Sequence, residues 1–195
     1  MKCSEILGDL LGSTYIFPLY GMLTPQQQRR AIMPSHEGER KLVLATSIAE
    51  TSLTIEGVRV VVDSGFCRRM VFDPRSGLSH LDTVRISLDM ARQRTGRAGR
   101  VGEGVCYRLW TLATEHRMDE CRKPEIVEAD LSSVLLDISA WGAEDIMSLP
   151  WLTPPPQSNV AQARQLLLML DAIYDNGRIT PHGKRLASLP CHPRI

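Results

Sequence analysis

The residues best suited to chemistry in this sequence are three arginines that recur at a spacing of three. They lie in the stretch Gln93-Arg94-Thr95-Gly96-Arg97-Ala98-Gly99-Arg100. If the stretch is helical, the three guanidinium groups are neighbours and repel one another unless an anion faces them. Guanidinium is always charged and binds phosphate through paired hydrogen bonds. The two glycines are unfavourable inside a helix, by about 1 kcal/mol each relative to alanine, and indicate a close approach to the backbone.

A simpler interpretation is a solvated basic face, or a short Arg-Gly tract that holds nucleic acid loosely, and most basic runs are of this kind. Two features favour a phosphate site instead. The run contains no acidic residue, and it lies between two well-patterned segments rather than in a disordered tail. The net charge of the chain is only +1, so any basic site must be local.

Composition sets wider limits on the protein class. The 195 residues are 43% apolar, which allows one large or two small folded domains. The five cysteines are odd in number and scattered, so we expect a reducing compartment and neither a zinc site nor a disulfide framework. No signal peptide and no apolar run of about 20 residues is present, so we expect a cytoplasmic protein without a membrane partner. No Gly-x-x-x-x-Gly-Lys-[Ser/Thr] loop occurs, because the similar stretch 177–185 has one spacer residue too many.

The first part of the chain alternates between strand and helix patterns. Extended segments are predicted at 14–19, 41–45 and 59–63, and a helix is predicted at 26–33 behind the Thr24-Pro25 cap signal. Ser47 followed by Glu50 is typical of a capping box, which predicts a helix that starts where the second strand ends. Such a junction is either a plain structural cap or an anion site. The alternation itself predicts a parallel sheet covered by helices.

Residues 66–87 interrupt this alternation with two extended segments, 68–72 and 78–86, on either side of strong turn residues at 73–77. We expect a β-hairpin, with Arg68, Arg69 and Arg75 available to a nucleic acid backbone. An ordinary surface excursion is the alternative. A helix at 89–97 and a strand at 104–110 should follow.

The composition changes near Lys123-Pro124. Beyond that point, 131–140 and 159–173 have helical periodicity, and a short extended piece at 179–181 follows the turn at 175–177. Two or three helices and a small ribbon predict a winged-helix module. The sequence therefore predicts two domains, 1–123 and 124–195.

The arginine stretch resembles motif VI of superfamily 2 helicases, and further stretches resemble motifs of their DEAH-box branch. These are 45–54, similar to motif V, 61–66, similar to motif Va, and the motif IV region at 20–30. The spacing of Asp73-Pro74, 106–110 and 140–142 is most similar to the bacterial HrpB-type ATP-dependent RNA helicases. The resemblance covers nearly the whole chain.

The resemblance implies that residues 1–123 correspond to the second RecA-like domain without its first strand, and that 124–195 are a winged helix and the start of the helicase-associated domain. ATP with Mg²⁺ would be held mainly by a first RecA-like domain, which carries the phosphate loop and the acidic box. That domain and single-stranded RNA, or DNA, would be the partners. On this basis the chain alone should not be an ATPase. A nucleic-acid-binding or partner-binding module without enzymatic activity is the alternative.

The resemblance also implies roles for individual residues. Gln93 would position the attacking water or the γ-phosphate, and Arg97 and Arg100 would be arginine fingers, whereas Arg94 would form a structural pair. The remaining implied contacts are Gly96 near the nucleotide, Thr54 and Glu56 near the ribose, and Thr46, Ser47, Arg68 and Arg69 on the nucleic acid. Ile32 occupies the position where many relatives place an aromatic residue that stacks on adenine.

Overall fold

The structure is a computed structural model and describes the ranges 2–11, 16–36, 38–51, 55–73, 78–143 and 145–195. The chain divides into two compact units. The first unit comprises 1–69 and 82–122, and the second comprises 70–81 and 123–195. The functional boundary after Lys123 remains a prediction.

The first unit is built from short parallel strands and helices. In chain order its elements are α1 (Lys2–Leu11), β1 (Ile16–Leu19), α2 (Pro25–Ile32), β2 (Leu42–Ala45), α3 (Ile48–Thr51), β3 (Val60–Asp63), the start of β4 (Phe66–Asp73) and the end of β5 (Leu78–Arg85), α4 (Leu88–Thr95), β6 (Val105–Arg108) and α5 (Leu112–Glu115). The alternation of strands and helices predicted from the sequence is confirmed.

The parallel strands form two pairs. Strand β1 pairs with β2, with Ile16 opposite Leu42, and β3 pairs with β6, with Val60 opposite Val105. Within the described ranges, no strand joins the two pairs into one ladder. The prediction of parallel pairing is therefore confirmed, although the sheet consists of two separate pieces.

One face of the β3–β6 pair is bare. Its four apolar side chains are more than half exposed, namely Val60, Val62, Val105 and Tyr107. The opposite face lies towards α4, where the Thr95 hydroxyl is 3.4 Å from the Cys106 sulfur. Parallel sheets are normally covered on both faces, so the exposed valines mark a face suited to further packing.

Helix α4 ends earlier than the sequence predicts. The predicted helix reached residue 97, but α4 stops at Thr95, with Gly96 as its C-cap. The segment that follows is a tight turn, in which the amide of Arg97 donates to the Arg94 carbonyl at 3.1 Å. The three arginines therefore do not share one helical face, because two glycines in four residues favour ending the helix.

Strands β4 and β5 pair in a two-stranded sheet, which confirms the predicted hairpin. The turn itself, and with it Arg75, lies outside the described residues. At the base of the hairpin, the Arg85 guanidinium stacks over the Phe66 ring, 4.6 Å from its centroid. This cation–π contact holds the two strands together where they enter the first unit.

The second unit is mainly helical. Besides the tip of the hairpin it contains α6 (Glu125–Glu128), α7 (Ser132–Trp141), a 3₁₀ turn (Ile146–Ser148), α8 (Gln157–Met169) and α9 (Pro181–Ala187). Its core lies between α7, α8 and the chain that follows them, with Leu131, Leu135, Leu136, Ile138, Ile146, Ala163, Leu167, Ala172 and Ile173 buried.

The end of the second unit differs from the prediction at one place. Ile173 and Ile179 form a single antiparallel bridge, which is the small ribbon expected there. The predicted extended piece ends sooner, because Thr180 is the N-cap of α9 and its hydroxyl accepts from the Gly183 amide at 2.9 Å. Among the helices of the described residues, none has the length and apolar character needed to cross a membrane.

Candidate functional site

The arginine segment is joined to the rest of its unit through Arg94. Its Nη1 lies 2.8 Å from Oδ1 of Asp63, and its Nε and Nη2 lie 2.7 and 2.6 Å from Oε1 of Glu50. Nη1 also donates to the Phe66 carbonyl at 3.2 Å. Glu50 and Asp63 are 6% and 3% exposed, so two buried carboxylates share one guanidinium. Arg94 therefore forms the structural pair expected of it.

The charges around Arg94 stabilise its charged form. Burial favours the neutral state, but the hydrogen bonds and negative charges of Asp63 and Glu50 outweigh it, and the pKa of Arg94 is raised. Asp63 Oδ1 accepts a second hydrogen bond, from the Gly65 amide at 3.0 Å. The two carboxylates thus fix the end of α4 to the ends of β3 and α3.

Arg97 and Arg100 follow in the turn. One Nη2 hydrogen of Arg97 donates to the backbone carbonyl of Glu50, which anchors the side chain to α3. Burial lowers the pKa of Arg97, the positive charge of Arg100 lowers it further, and Glu50 opposes both. A negatively charged ligand beside Arg97 would oppose the effect of this neighbouring positive charge.

Gln93 lies on the exposed side of α4 and is held by a residue far along the chain. Its Oε1 accepts from Nη2 of Arg122 at 3.0 Å. Arg122 in turn binds Asp89, through Nε to Oδ2 at 3.0 Å and through its backbone amide to Oδ1 at 3.1 Å. Burial disfavours the charged form of Asp89, but the hydrogen bonds from Ser87 and Arg122 outweigh it, so the pKa of Asp89 is lowered.

The glycines of the segment differ in what surrounds them. Gly96 has right-handed helical dihedrals, and a side-chain carbon there would lie 3.4 Å from the Arg92 carbonyl, an ordinary contact. A carbon added at Gly99 would meet no described atom within 4 Å. At Gly104, by contrast, it would lie 2.0 Å from the Ala98 carbonyl oxygen. The fold therefore requires glycine at Gly104, where β6 approaches the arginine turn.

The nucleic acid residues expected from the sequence are exposed. Thr46 and Ser47 lie between β2 and α3, where the Thr46 amide donates to the Leu19 carbonyl at 3.0 Å. Arg68 and Arg69 are exposed on β4. Helix α3 has only four residues, too short for a strong anion site of its own. Its Glu50 carboxylate faces Arg94 rather than acting in the capping box that the sequence suggested.

The two residues expected near the ribose are Thr54 and Glu56. Glu56 is exposed in the turn before β3, and Thr54 lies outside the described residues. The structure therefore brings the arginine segment together with Glu50 and Asp63, and it places Thr46 and Ser47 directly before the same short helix.

Sequence reasoning missed three residues that hold this site. Glu50 was interpreted as a cap and Asp63 as the end of a strand, although a carboxylate at the end of an apolar strand is a recognisable signal. Arg122 carried no signal, because nothing in its neighbourhood marks it as a partner of residues some 30 positions earlier.

Comparison with known proteins gives consistent matches. The family "Helicase conserved C-terminal domain" matches residues 2–102, and "Helicase associated domain (HA2), winged-helix" matches residues 163–191. The chain is 43% identical over 195 residues to the ATP-dependent RNA helicase HrpB of Escherichia coli (strain K12), covering 100% of this chain and 24% of that protein. It is 42% identical over 193 residues to the pre-mRNA-splicing factor ATP-dependent RNA helicase prp22 of Schizosaccharomyces pombe, covering 98% and 16%.

Solved structures agree with these matches. A crystal structure of the Escherichia coli DEAH/RHA helicase HrpB superposes with a TM-score of 0.90 at 41% identity, covering 100% of this chain and 25% of that one. A structure of the E. coli DExH-box NTPase HrpB gives 0.87 at 41% identity, with 100% and 24% covered. The chain thus spans about a quarter of the bacterial relative and less of the yeast one.

Proposed function

This chain belongs to the DEAH-box (DEAH/RHA) helicases, whose C-terminal region it matches, and we propose that it supplies the arginine fingers and part of the nucleic acid grip of an ATP-dependent RNA helicase. Its membership confirms the expected fold class, a RecA-like α/β domain with parallel strands and an inserted hairpin, followed by a winged helix. The activity of a whole helicase is a proposal here, because the chain spans only 24% of HrpB.

The observation that carries the proposal is the division of labour among the three arginines. Arg94 is paired with two buried carboxylates, whereas Arg97 donates to a backbone carbonyl, and burial followed by the charge of Arg100 lowers the pKa of Arg97 against the opposing charge of Glu50. Two guanidinium groups in one turn suit the transferred phosphoryl oxygens of ATP. In phosphoryl transfer, an arginine finger contributes roughly 10³ to 10⁵ in rate.

The residues present fit one side of a nucleotide site. Arg97, Arg100 and the open space beside Gly99 suit a triphosphate that approaches the turn, with Gly96, Glu56 and Thr54 as further nucleotide contacts. The sequence contains no phosphate-binding loop motif, and the carboxylates of Glu50 and Asp63 are both paired with Arg94. Mg²⁺ and the β- and γ-phosphates would therefore be held by the first RecA-like domain, as in the resemblance described above.

The nucleic acid would lie along exposed side chains that can bind its sugar–phosphate backbone. Thr46 and Ser47 offer hydroxyl groups beside the short helix that contacts Arg97, and Arg68 and Arg69 offer charge on β4. The named relatives are RNA helicases, so we propose single-stranded RNA as the substrate. Contacts to phosphate and sugar carry no sequence code, and binding should be independent of base sequence.

ATP hydrolysis would depend on closure of the cleft between the two RecA-like domains. Fingers on one domain stabilise charge on a phosphate held by the other only while the cleft is closed. A change at the arginine turn reaches α3 through the Arg97 contact with the Glu50 carbonyl, and α3 begins directly after Thr46 and Ser47. This short path would couple ATP turnover to the grip on the RNA strand.

The test compares two proteins. One is the 195-residue chain alone, and the other carries a first RecA-like domain of the same family in front of it and is here called the two-domain protein. We expect no ATPase activity above buffer from the chain alone, with or without RNA, because fingers without a bound nucleotide lose a proximity term worth roughly 7 to 11 kcal/mol. The two-domain protein should hydrolyse ATP, and Arg97→Ala or Arg100→Ala should reduce its turnover by orders of magnitude.

Folding of each protein is checked by circular dichroism, and Arg117→Ala, an exposed arginine of the same unit, is the matched control. Turnover of the Arg97→Ala two-domain protein within a few-fold of its parent would refute the finger assignment. Saturable, Mg²⁺-dependent turnover by the chain alone would refute the need for a second domain. A two-domain protein that folds and binds RNA but hydrolyses no ATP would favour a non-enzymatic binding module.

A further inference from the structure

We infer that Arg122 is a positioning residue that sets the orientation of the Gln93 side-chain amide, an inference that rests on the function proposed above. Within that function, Gln93 would act on the attacking water or the γ-phosphate, which is the role that the family resemblance implies for it. Arg122 lies 29 positions later, and its Nη2 donates to Oε1 of Gln93 at 3.0 Å. The fork of Arg122 therefore decides which end of that amide remains for a ligand.

The chemistry of the two groups makes this orientation unambiguous. A guanidinium has only donors, so the Gln93 atom that faces it must be the carbonyl oxygen and not the amide nitrogen. With the oxygen engaged, Nε2 and its two N–H donors are left for another acceptor. A phosphate oxygen or the lone pair of a water is an acceptor of the required kind. Without Arg122, the amide of an exposed glutamine is free to rotate by 180°.

Arg122 is itself held from two directions. Asp89 and Gln93 are four residues apart on α4, so their side chains lie on the same face of the helix, one turn apart. The guanidinium spans this interval, with Nε on Asp89 at 3.0 Å and Nη2 on Gln93 at 3.0 Å. A planar group with donors in fixed directions can satisfy both acceptors at once, which a lysine ammonium on a flexible stem does less well.

The backbone next to Arg122 is fastened to the same helix. The amides of Leu88 and Asp89, which open α4 and have no partner within the helix, donate to the carbonyls of Asp119 and Glu120 at 2.9 and 3.1 Å. The Arg122 amide donates to Asp89 Oδ1 at 3.1 Å. The start of α4 is therefore capped by the segment that carries Arg122, and the position of the guanidinium relative to Gln93 is well defined.

A purely structural role would have a different signature. The Arg122 side chain is 44% exposed, and exposed ion pairs contribute little to stability. Removing it should therefore change the unfolding midpoint of the 195-residue chain very little. Misplacing a group that acts on the reacting atoms has a much larger effect on rate.

The experiment measures kcat and KM for ATP in the two-domain protein with saturating RNA. Arg122→Met should lower kcat about 10-fold or more with KM nearly unchanged, because the ground-state contacts to the nucleotide remain. Arg117→Met is the matched control, since Arg117 is exposed and its Nε donates to the Ala113 carbonyl in the α5 region. Urea unfolding of the same variants in the 195-residue chain should give midpoints that coincide.

Gln93→Ala separates this inference from the proposed function. If Gln93→Ala leaves kcat unchanged, the role given to Gln93 in the proposed function fails, and the inference fails with it. If Gln93→Ala lowers kcat but Arg122→Met does not, only the positioning role is overturned. In the Gln93→Ala background, Arg122→Met should have no further effect on kcat, and additive losses would refute action through Gln93.

Discussion

The guanidinium of Arg94 lies 2.8 Å from the carboxylate of Asp63, whose side chain is 1% exposed at the end of β3. The two residues are 31 positions apart in the chain. This pairing gives Arg94 a structural role in the first unit. It distinguishes Arg94 from Arg97 and Arg100, although the three arginines recur at the same spacing in the sequence.

Loss of Arg94 should therefore destabilise the chain. Arg94→Met leaves the buried carboxylates of Asp63 and Glu50 without their cation, and breaking a buried pair on one side costs about 3 to 5 kcal/mol. Urea unfolding of the 195-residue chain, followed by circular dichroism, measures the change. Arg92→Met is the control, because Arg92 is exposed on the same helix. Equal unfolding midpoints for the two variants would contradict the structural role of Arg94.

Alanine should have different effects at Gly99, which lies within the arginine turn, and at Gly104, which follows it. Gly104→Ala places a methyl group 2.0 Å from the Ala98 carbonyl oxygen and should lower the free energy of unfolding by about 1 to 3 kcal/mol. Gly99→Ala meets no described atom within 4 Å and should leave stability unchanged or raise it slightly, by about 0.4 to 1 kcal/mol.

ATP turnover tests why residue 99 is a glycine. In the two-domain protein, Gly99→Ala should still reduce ATP hydrolysis, because the added methyl group occupies space proposed for the nucleotide. Full activity together with unchanged stability would mean that nothing approaches the backbone at Gly99.

Single-strand binding should weaken when exposed groups of the first unit are removed. Thr46→Ala, Arg68→Ala and Arg69→Ala should each weaken binding of fluorescent RNA by a similar factor for different sequences. Each arginine that contacts a phosphate should also reduce the slope of log K against log salt by about 0.7. Fluorescence anisotropy over a salt series measures both quantities. Arg117→Ala is the control, and the same slope for it and for the β4 variants would remove β4 from the binding surface.

The second unit should lose stability in acid through Asp130. Burial raises its pKa, but hydrogen bonds from Ser132, at 2.8 Å from the amide and 2.5 Å from the hydroxyl, and the charges of His192 and Arg194 outweigh burial, so the pKa of Asp130 is lowered. A carboxyl whose pKa is lower in the folded state stabilises the protein fully above its unfolded value, about 4, and this stabilisation is lost as the pH falls through the folded value.

Asp130→Asn removes that contribution. The variant should be less stable than its parent by about 1 to 2 kcal/mol at pH 7, and the difference should shrink as the pH falls below about 4. Urea unfolding at a series of pH values tests this, with Asp137→Asn, exposed on α7, as the control. A difference that stays constant between pH 7 and pH 3 would show that charge on Asp130 does not stabilise the fold.

Local signals in the sequence predict most elements, but some signals are ambiguous between a helix start and an extended segment. Thr24-Pro25 correctly predicts the start of α2, whose capping box joins Thr24 and Gln27. The same Thr-Pro signal at Thr180-Pro181 begins α9, so the prediction of an extended piece there is wrong after Ile179. The predicted end of α4 at residue 97 is also wrong, because charge spacing extends the helix past Gly96, which is its C-cap.

By itself, the sequence determined the alternation of strands and helices and the eight-residue arginine stretch, because these depend on neighbours within a few positions. Only the tertiary structure decided which of the three arginines pairs with buried carboxylates. Glu50, Asp63 and Arg122 reach the segment from 44, 31 and 29 positions away. The buried carboxylates of Glu50 and Asp63 pair with the guanidinium of Arg94, whereas Arg97 donates to the backbone carbonyl of Glu50. Charge spacing along a chain cannot encode this difference, because the energy of a guanidinium depends on the carboxylates and the water that folding brings to it or removes from it.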